Sequence, residues 1–207
     1  MLESLNYLIF DRNLLLQRSA RTANSLAKSD FLIKRSFADI YDRLNDMTKE
    51  FPMTLNLGHS SIVNEENFML EANKFDLIIS ILNLHNINDL PGCLIRLKNA
   101  LKPGGMIIAS MFGGNNLFQL REVLLKTELE LFGGVSPRMM PNIEIKQLGG
   151  LLQRAGFSSP IVDSDIVEVH YKQPLDLLHD LRNMGETNIM LTRDKKYLGK
   201  RFWRVFA

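Results

Sequence analysis

Residues Phe75 to Gly114 read FDLIISILNLHNINDLPGCLIRLKNALKPGGMIIASMFGG, and this stretch decides the fold. Leu77, Ile78, Ile79, Ile81 and Leu82 form an almost unbroken apolar run, the pattern of a parallel strand covered on both faces. Asp89 stands where it can cap a following helix, and Pro91 falls in the first turn, where a missing N–H goes unfelt. Leu90, Leu94, Leu97 and Leu101 recur at offsets of four, three and four, which makes one helical stripe. Lys102-Pro103-Gly104-Gly105 stops the helix and turns the chain into Met106-Ile107-Ile108-Ala109. Strand, crossover helix and second strand in one sheet make a right-handed βαβ unit. Open sheets of this type bind ligands beyond the carboxyl ends of their strands, which directs attention to residues 80–85 and 111–116.

Upstream, Met53-Thr54-Leu55-Asn56-Leu57-Gly58 reads as a first strand running into a glycine loop, Gly58-His59-Ser60-Ser61-Ile62. Asp30 is placed to cap a helix with Leu32, Ile33, Phe37, Ile40 and Leu44 on its buried side. Downstream, Leu117, Leu120, Leu124 and Leu131 mark a helix ended by Gly133-Gly134, with Glu122 and Lys126 as an i,i+4 pair. Asn142 is read as the cap of a helix carrying Ile145, Leu148, Leu151 and Leu152, closed by Gly156 in the left-handed region. Alternation from Ile161 to Tyr171 predicts a half-exposed strand, with His170 on its outer face. Pro174 opens a helix stopped by Gly185. The tail from Asp194, DKKYLGKRFWRVFA, interleaves cations with aromatic residues and reads as an amphipathic helix rather than a nucleic-acid or membrane site.

The composition bounds the rest. With 207 residues, 45% apolar and 23% charged, the chain is expected to be a single globular domain, 1–207. Within it, 1–50 reads as an N-terminal helical cap and 51–207 as the sheet-bearing core. A net charge of +2 is too small to argue for nucleic acid. A single cysteine, Cys93, excludes an internal disulfide framework and suits a reducing compartment. No Cys and His residues recur at metal-ligand spacing, no apolar run approaches a membrane span, and no signal-peptide pattern is seen. The expectation is a soluble intracellular protein, cytoplasmic if bacterial and of the mitochondrial matrix if eukaryotic.

Several segments carry a family resemblance. FDLIIS, the nearby His85, NDLP and LKPGG resemble class I S-adenosylmethionine-dependent methyltransferases. MFGGNNLFQLR, GGVSPRMMP, LGGLLQRAGF, VDSDIVEVHY and DLRNMGETN are similar to one branch of them. That branch contains a mitochondrial complex I assembly factor that hydroxylates an arginine and the malonyl-carrier-protein methyltransferase of biotin synthesis. Phe10-Asp11-Arg12, Arg18, Ala20 and Arg21 match its amino-terminal signature. The resemblance implies a Rossmann-like α/β fold and S-adenosylmethionine as cofactor. Asn56, Gly58, Ser60, Ser80 and Leu82 then take the cofactor-contacting positions, and His85 is the best-placed general base. Arg12 and Arg138 are candidates to meet an anionic substrate. The partners implied are a respiratory complex I subunit or a carrier-protein-linked acyl substrate, with no nucleic acid. An arginine hydroxylase of iron type is not supported, because no iron triad is visible.

The sequence departs from this family in two ways. Asn56 stands where an acid is usual, and Ser60 and Ile62 replace the second and third glycines of a GxGxG turn. A β-branched Ile is strained wherever positive φ is required. Moreover, Gly58 and Phe75 lie only 17 positions apart (75 − 58). Helix, strand, helix and strand between those landmarks would take on the order of 50 residues. The second strand, whose acid grips the ribose hydroxyls, and the third, which walls the adenine, therefore have no room, and the terminal strands are expected to be missing too. A ribose-binding carboxylate makes charge-assisted hydrogen bonds of about 1.5–3 kcal/mol each. Its loss, with that of the adenine pocket, would cost several powers of ten in affinity at about 1.4 kcal/mol per tenfold. The chain is thus expected to be a methyltransferase-like protein with an incomplete cofactor site. The alternative is a catalytically inactive assembly or scaffold protein, or a decayed gene product.

Overall fold

The computed structural model describes residues 8–22, 29–58 and 69–206. In chain order the elements are α1 (Arg12–Thr22), α2 (Phe31–Asn45), β1 (Thr54–Leu57), β2 (Phe75–Ile81), a 3-10 turn (Leu84–Asn86), α3 (Leu90–Ala100), β3 (Leu101–Ser110), α4 (Phe118–Phe132), α5 (Ile145–Arg154), α6 (Pro174–Met184) and α7 (Gly199–Phe206). The chain divides into two compact units, one of residues 1–29, 115–142 and 165–207, the other of 30–114 and 143–164.

The second unit holds the sheet. Its strands are parallel in the order β1-β2-β3, with Asn56 paired to Ile79 and Ile79 to Ile108. The central strand β2 alternates its side chains between two cores, as a strand must. Ile78 packs with Cys93, Leu94 and Leu97 of α3 and with Leu151, Leu152 and Ala155 from α5 and its end. Leu77, Ile79 and Ile81 pack with Ile40, Ile33 and Leu44 of α2 on the other face. Helices on both faces of a parallel sheet make three layers, the doubly covered arrangement expected from the unbroken apolar run. The fold is Rossmann-like α/β with an incomplete sheet, reduced to three parallel strands among the described residues.

The βαβ unit forms as its sequence dictates. Asp89 caps α3, its carboxylate accepting from the Gly92 N–H at 2.9 Å, and Pro91 sits in the first turn. The return differs from the expected loop: β3 begins at Leu101, directly after the helix. Phe75 pairs with Leu101 but Leu77 with Met106, so residues 102–105 form a bulge that lets the chain turn inside the ladder. Gly105 is required there, because a Cβ would lie 2.9 Å from the Lys102 carbonyl oxygen and 3.0 Å from that of Phe75.

Three local expectations are corrected. Asp30 precedes α2 but makes no side-chain cap, and pairs with Lys34 at 3.0 Å instead. The cap residue of α5 is Glu144, whose N–H donates to the Gln147 side chain at 3.2 Å, while Asn142 donates to the Asn116 carbonyl. Residues 161–170 form no strand. A period of two is not enough without a neighbour to take the backbone donors and acceptors, and no described strand pairs with this segment.

The first unit is helical. Leu120 and Leu124 of α4 pack with Phe202 and Phe206 of α7, which presents Lys200, Arg201 and Arg204 outward, as the amphipathic reading requires. Gly133 ends α4 and Gly185 ends α6, both with positive φ. In the same unit Phe10 bridges antiparallel to Met190, and the Leu191 N–H donates to the Ile9 carbonyl at 2.9 Å. The early FDR segment and the late DLRNMGETN segment thereby come together.

Candidate functional site

The carboxyl ends of the three strands are stitched together by side chains. The Asn83 amide donates to the carbonyl oxygens of Leu57 at 2.9 Å and Gly58 at 2.6 Å, fastening the end of β1 to the loop after β2. The Leu82 N–H donates to the Ser110 carbonyl at 2.9 Å, with Ser110 Oγ at 3.3 Å, joining β2 to β3. Between these ties Leu82 holds a left-handed backbone, φ +48, although it is neither glycine nor asparagine. A leucine there costs about 1–2 kcal/mol, and strain of this kind collects at ligand sites.

The same loop shields polar atoms that find no partner. Ser80 Oγ, Asn83 Oδ1 and Asn86 Oδ1 are out of contact with solvent and accept no hydrogen bond. All three side chains are buried. Buried acceptors left open cost about 1–3 kcal/mol each, so a ligand bringing N–H or O–H groups would be stabilised here. His85, in the 3-10 turn, accepts through Nε2 from the Asn86 amide at 3.1 Å and meets Phe112 edge-on, ring centres 4.9 Å apart.

The other sequence candidates fall as follows. Asn56 is exposed on β1, and Gly58 is half-exposed with open space where a Cβ would stand. Ser60, with Glu65 and Glu66, lies outside the described residues. In the first unit, Arg12 opens α1 and is half-buried. Arg138 is committed within the protein: it meets Glu128 at 2.7 Å and Asp194 at 3.2 Å. Glu128, only 1% exposed, also accepts from the Ser136 N–H at 2.7 Å. Ser110 was not singled out from sequence, and Asn83 only as part of the 80–85 stretch. Asparagine after a strand is a weak signal, and its bonds reach a segment some 25 positions away.

A three-layer parallel sheet with buried polar side chains at its strand ends defines a Rossmann-like α/β protein. Comparison with known proteins narrows this. Residues 48–109 match the methyltransferase domain family. The chain is 34% identical over 226 residues to arginine-hydroxylase NDUFAF5, mitochondrial, of Danio rerio, covering 89% of this chain and 70% of that one. To the Mus musculus protein of the same name it is 33% identical over 226 residues, spanning 89% of this chain but 66% of that one. A malonyl-[acyl-carrier protein] O-methyltransferase of Gallionella capsiferriformans is 30% identical over 140 residues, covering 67% of this chain and 46% of its own. The chain belongs to the class I S-adenosylmethionine-dependent methyltransferase family, in the branch that includes NDUFAF5.

The alignment lengths also carry information. An 89% share of 207 residues is about 184, so 226 aligned positions leave about 42 of the mouse protein's without a counterpart here. No helix among the described residues is long and apolar enough to cross a membrane.

The family implies S-adenosylmethionine, and the residues at the strand ends fit only part of it. Open acceptors at Ser80, Asn83 and Asn86 suit a donor-bearing end such as an ammonium group. No carboxylate stands at the strand ends, where the described residues are Asn56 to Gly58, Ser80 to Asn86 and Ser110 to Gly114. A ribose diol therefore finds no charged acceptor among them.

Proposed function

We propose that this chain is a methyltransferase-family protein that keeps polar side chains at the strand ends of the fold but binds S-adenosylmethionine far more weakly than a working transferase. Its role is then to hold a partner rather than to turn over a methyl donor. One observation carries the reading: β1 pairs directly with β2 across a 17-position interval (75 − 58), and the strand ends offer no carboxylate among the described residues. The partner class implied by the family is a respiratory complex I subunit or a carrier-protein-linked acyl group, met in the mitochondrial matrix of a eukaryote or the cytoplasm of a bacterium. A second reading, a working transferase with His85 as base, is favoured by the open acceptors around that residue.

Thermal unfolding with and without S-adenosylmethionine separates the two. A ligand present at 1,000 times its Kd stabilises by about 4.1 kcal/mol, and one present at its Kd by about 0.4 kcal/mol. Each kcal/mol moves the Tm of a chain this size by about 2–4 °C. At millimolar cofactor the proposal predicts a shift below about 2 °C. A rise of about 8 °C or more, abolished in Asn83→Ala, would establish the transferase reading instead.

A further inference from the structure

We propose that the open edge of β3, Met106 to Ser110, pairs antiparallel with the same edge of a second copy of this chain. The inference concerns the sheet-bearing unit alone and does not depend on the cofactor reading.

In the order β1-β2-β3, the last strand has a neighbour on one side only among the described residues. Its two halves differ. The first carries Lys102, Pro103 and the bulge at 102–105, and Lys49 Nζ donates to the Gly104 carbonyl oxygen at 2.5 Å. Charge, proline and bulge are the means by which proteins keep a strand edge from pairing. The second half, Met106-Ile107-Ile108-Ala109-Ser110, has none of them. Beyond it the chain leaves the ladder, and the Gly114 N–H donates to the Ile143 carbonyl at 2.8 Å. An unguarded window of ordinary strand length is left between two closed ends. At the opposite edge β1 is only four residues long.

One hydrogen bond fixes which backbone groups are free. The Ser110 carbonyl accepts from the Leu82 N–H, so it faces β2. Successive residues of a strand present their backbone groups to opposite sides, so Met106 and Ile108 also face β2, whereas Ile107 and Ala109 face outward. Among the described residues neither of these two makes a backbone hydrogen bond outside the ladder. Ala109 is exposed, and Met106, Ile107 and Ile108 are half-buried. Outward N–H and C=O groups at alternate residues are satisfied by another strand. The window is complementary to itself. With a twofold axis at Ile108, Ile107 of one copy lies opposite Ala109 of the other, and the two exchange both backbone bonds. The symmetric pair does the same. Across the axis a large side chain meets a small one, Ile108 meets Ile108 as a β-branched pair, and no like charges oppose each other. Pairing doubles the three strands to six, an ordinary size for a sheet.

The test is analytical ultracentrifugation of the whole chain over a range of concentrations, with amide hydrogen exchange measured on the same samples. The expected result is a reversible monomer–dimer equilibrium, with the Ile107 and Ala109 amides gaining protection as the dimer fills. Ala109→Pro removes an outward N–H and leaves the bonds to β2 in place, and symmetry removes it twice. It is expected to weaken dimerisation about tenfold or more. Ala109→Lys, which sets a charge on the exposed edge, is expected to do the same. A chain that stays monomeric at every concentration, or a dimer that neither variant weakens, would overturn the proposal. So would protection that rises at β1 instead of β3, or growth past the dimer into open-ended assemblies. Should Ala109→Pro fail to fold, Ala109→Lys and the wild-type exchange pattern decide.

Discussion

At the scale of single residues, the structure turns on polar side chains whose partners are distant in sequence. Asn83 makes two bonds to consecutive carbonyls at the end of β1. Each is worth about 1 kcal/mol net, with more lost where a buried carbonyl is left open. Asn83→Ala is expected to lower stability by about 2–4 kcal/mol in urea unfolding. Asn83→Asp should be worse, because it sets an acceptor against two acceptors. Arg138 and Glu128 form a second such case. Removing the arginine strands a carboxylate that is 1% exposed, so Arg138→Ala is expected to cost about 3–5 kcal/mol. Replacing both partners, Arg138→Met with Glu128→Leu, should recover most of that loss. A direct substrate role for Arg138 would instead leave stability nearly unchanged.

Tyr171 gives the pH dependence. Burial, reinforced by the hydrogen bond to Asp180, raises its pKa to about 12 in the folded chain. Below the unfolded value of about 10 the phenol is neutral in both states and its contribution is fully present. As pH rises from about 10 to 12 the unfolded chain ionises first, and that contribution is lost. Tyr171→Phe should remove this part of the alkaline decline, measured as Tm against pH between 9 and 12 on the pH scale.

At the scale of elements, what was legible in the sequence was what local rules determine. The span β2–α3–β3 could be read because an apolar run, a cap, a proline and a glycine turn all agree, and Asp89→Ala is expected to cost about 1 kcal/mol through loss of that cap. The ends of α4 and α6 were legible from their glycines, and α7 from its alternation of aromatic and basic residues. The caps of α2 and α5 were misread because several residues near each helix start have suitable chemistry, and neighbouring contacts choose among them. The Ile161–Tyr171 alternation was misread as a strand because strand formation depends on a partner outside the segment. Amide hydrogens of 161–170 are therefore expected to exchange within seconds, while those of 77–81 are protected. Comparable protection in both would contradict the assignment.

For the whole molecule, the decisive quantity is length between landmarks. A Rossmann-like sheet tolerates large changes in its loops, since loop length costs little free energy. Removing strands between β1 and β2 instead takes away the groups that hold a nucleoside. The spacing made that shortage legible, the register of β1 on β2 is consistent with it, and the alignment to NDUFAF5 relatives is longer than the chain it covers. The polar clasp at the strand ends was not legible, because nothing local marks Asn83 as reaching back to Leu57 and Gly58.

The most direct measurement is titration calorimetry of the purified chain with S-adenosylmethionine, run beside the zebrafish relative. No saturable heat is expected below about millimolar concentration for this chain, consistent with the loss of several powers of ten in affinity that the missing contacts would cost. A micromolar Kd with one-to-one stoichiometry would contradict it.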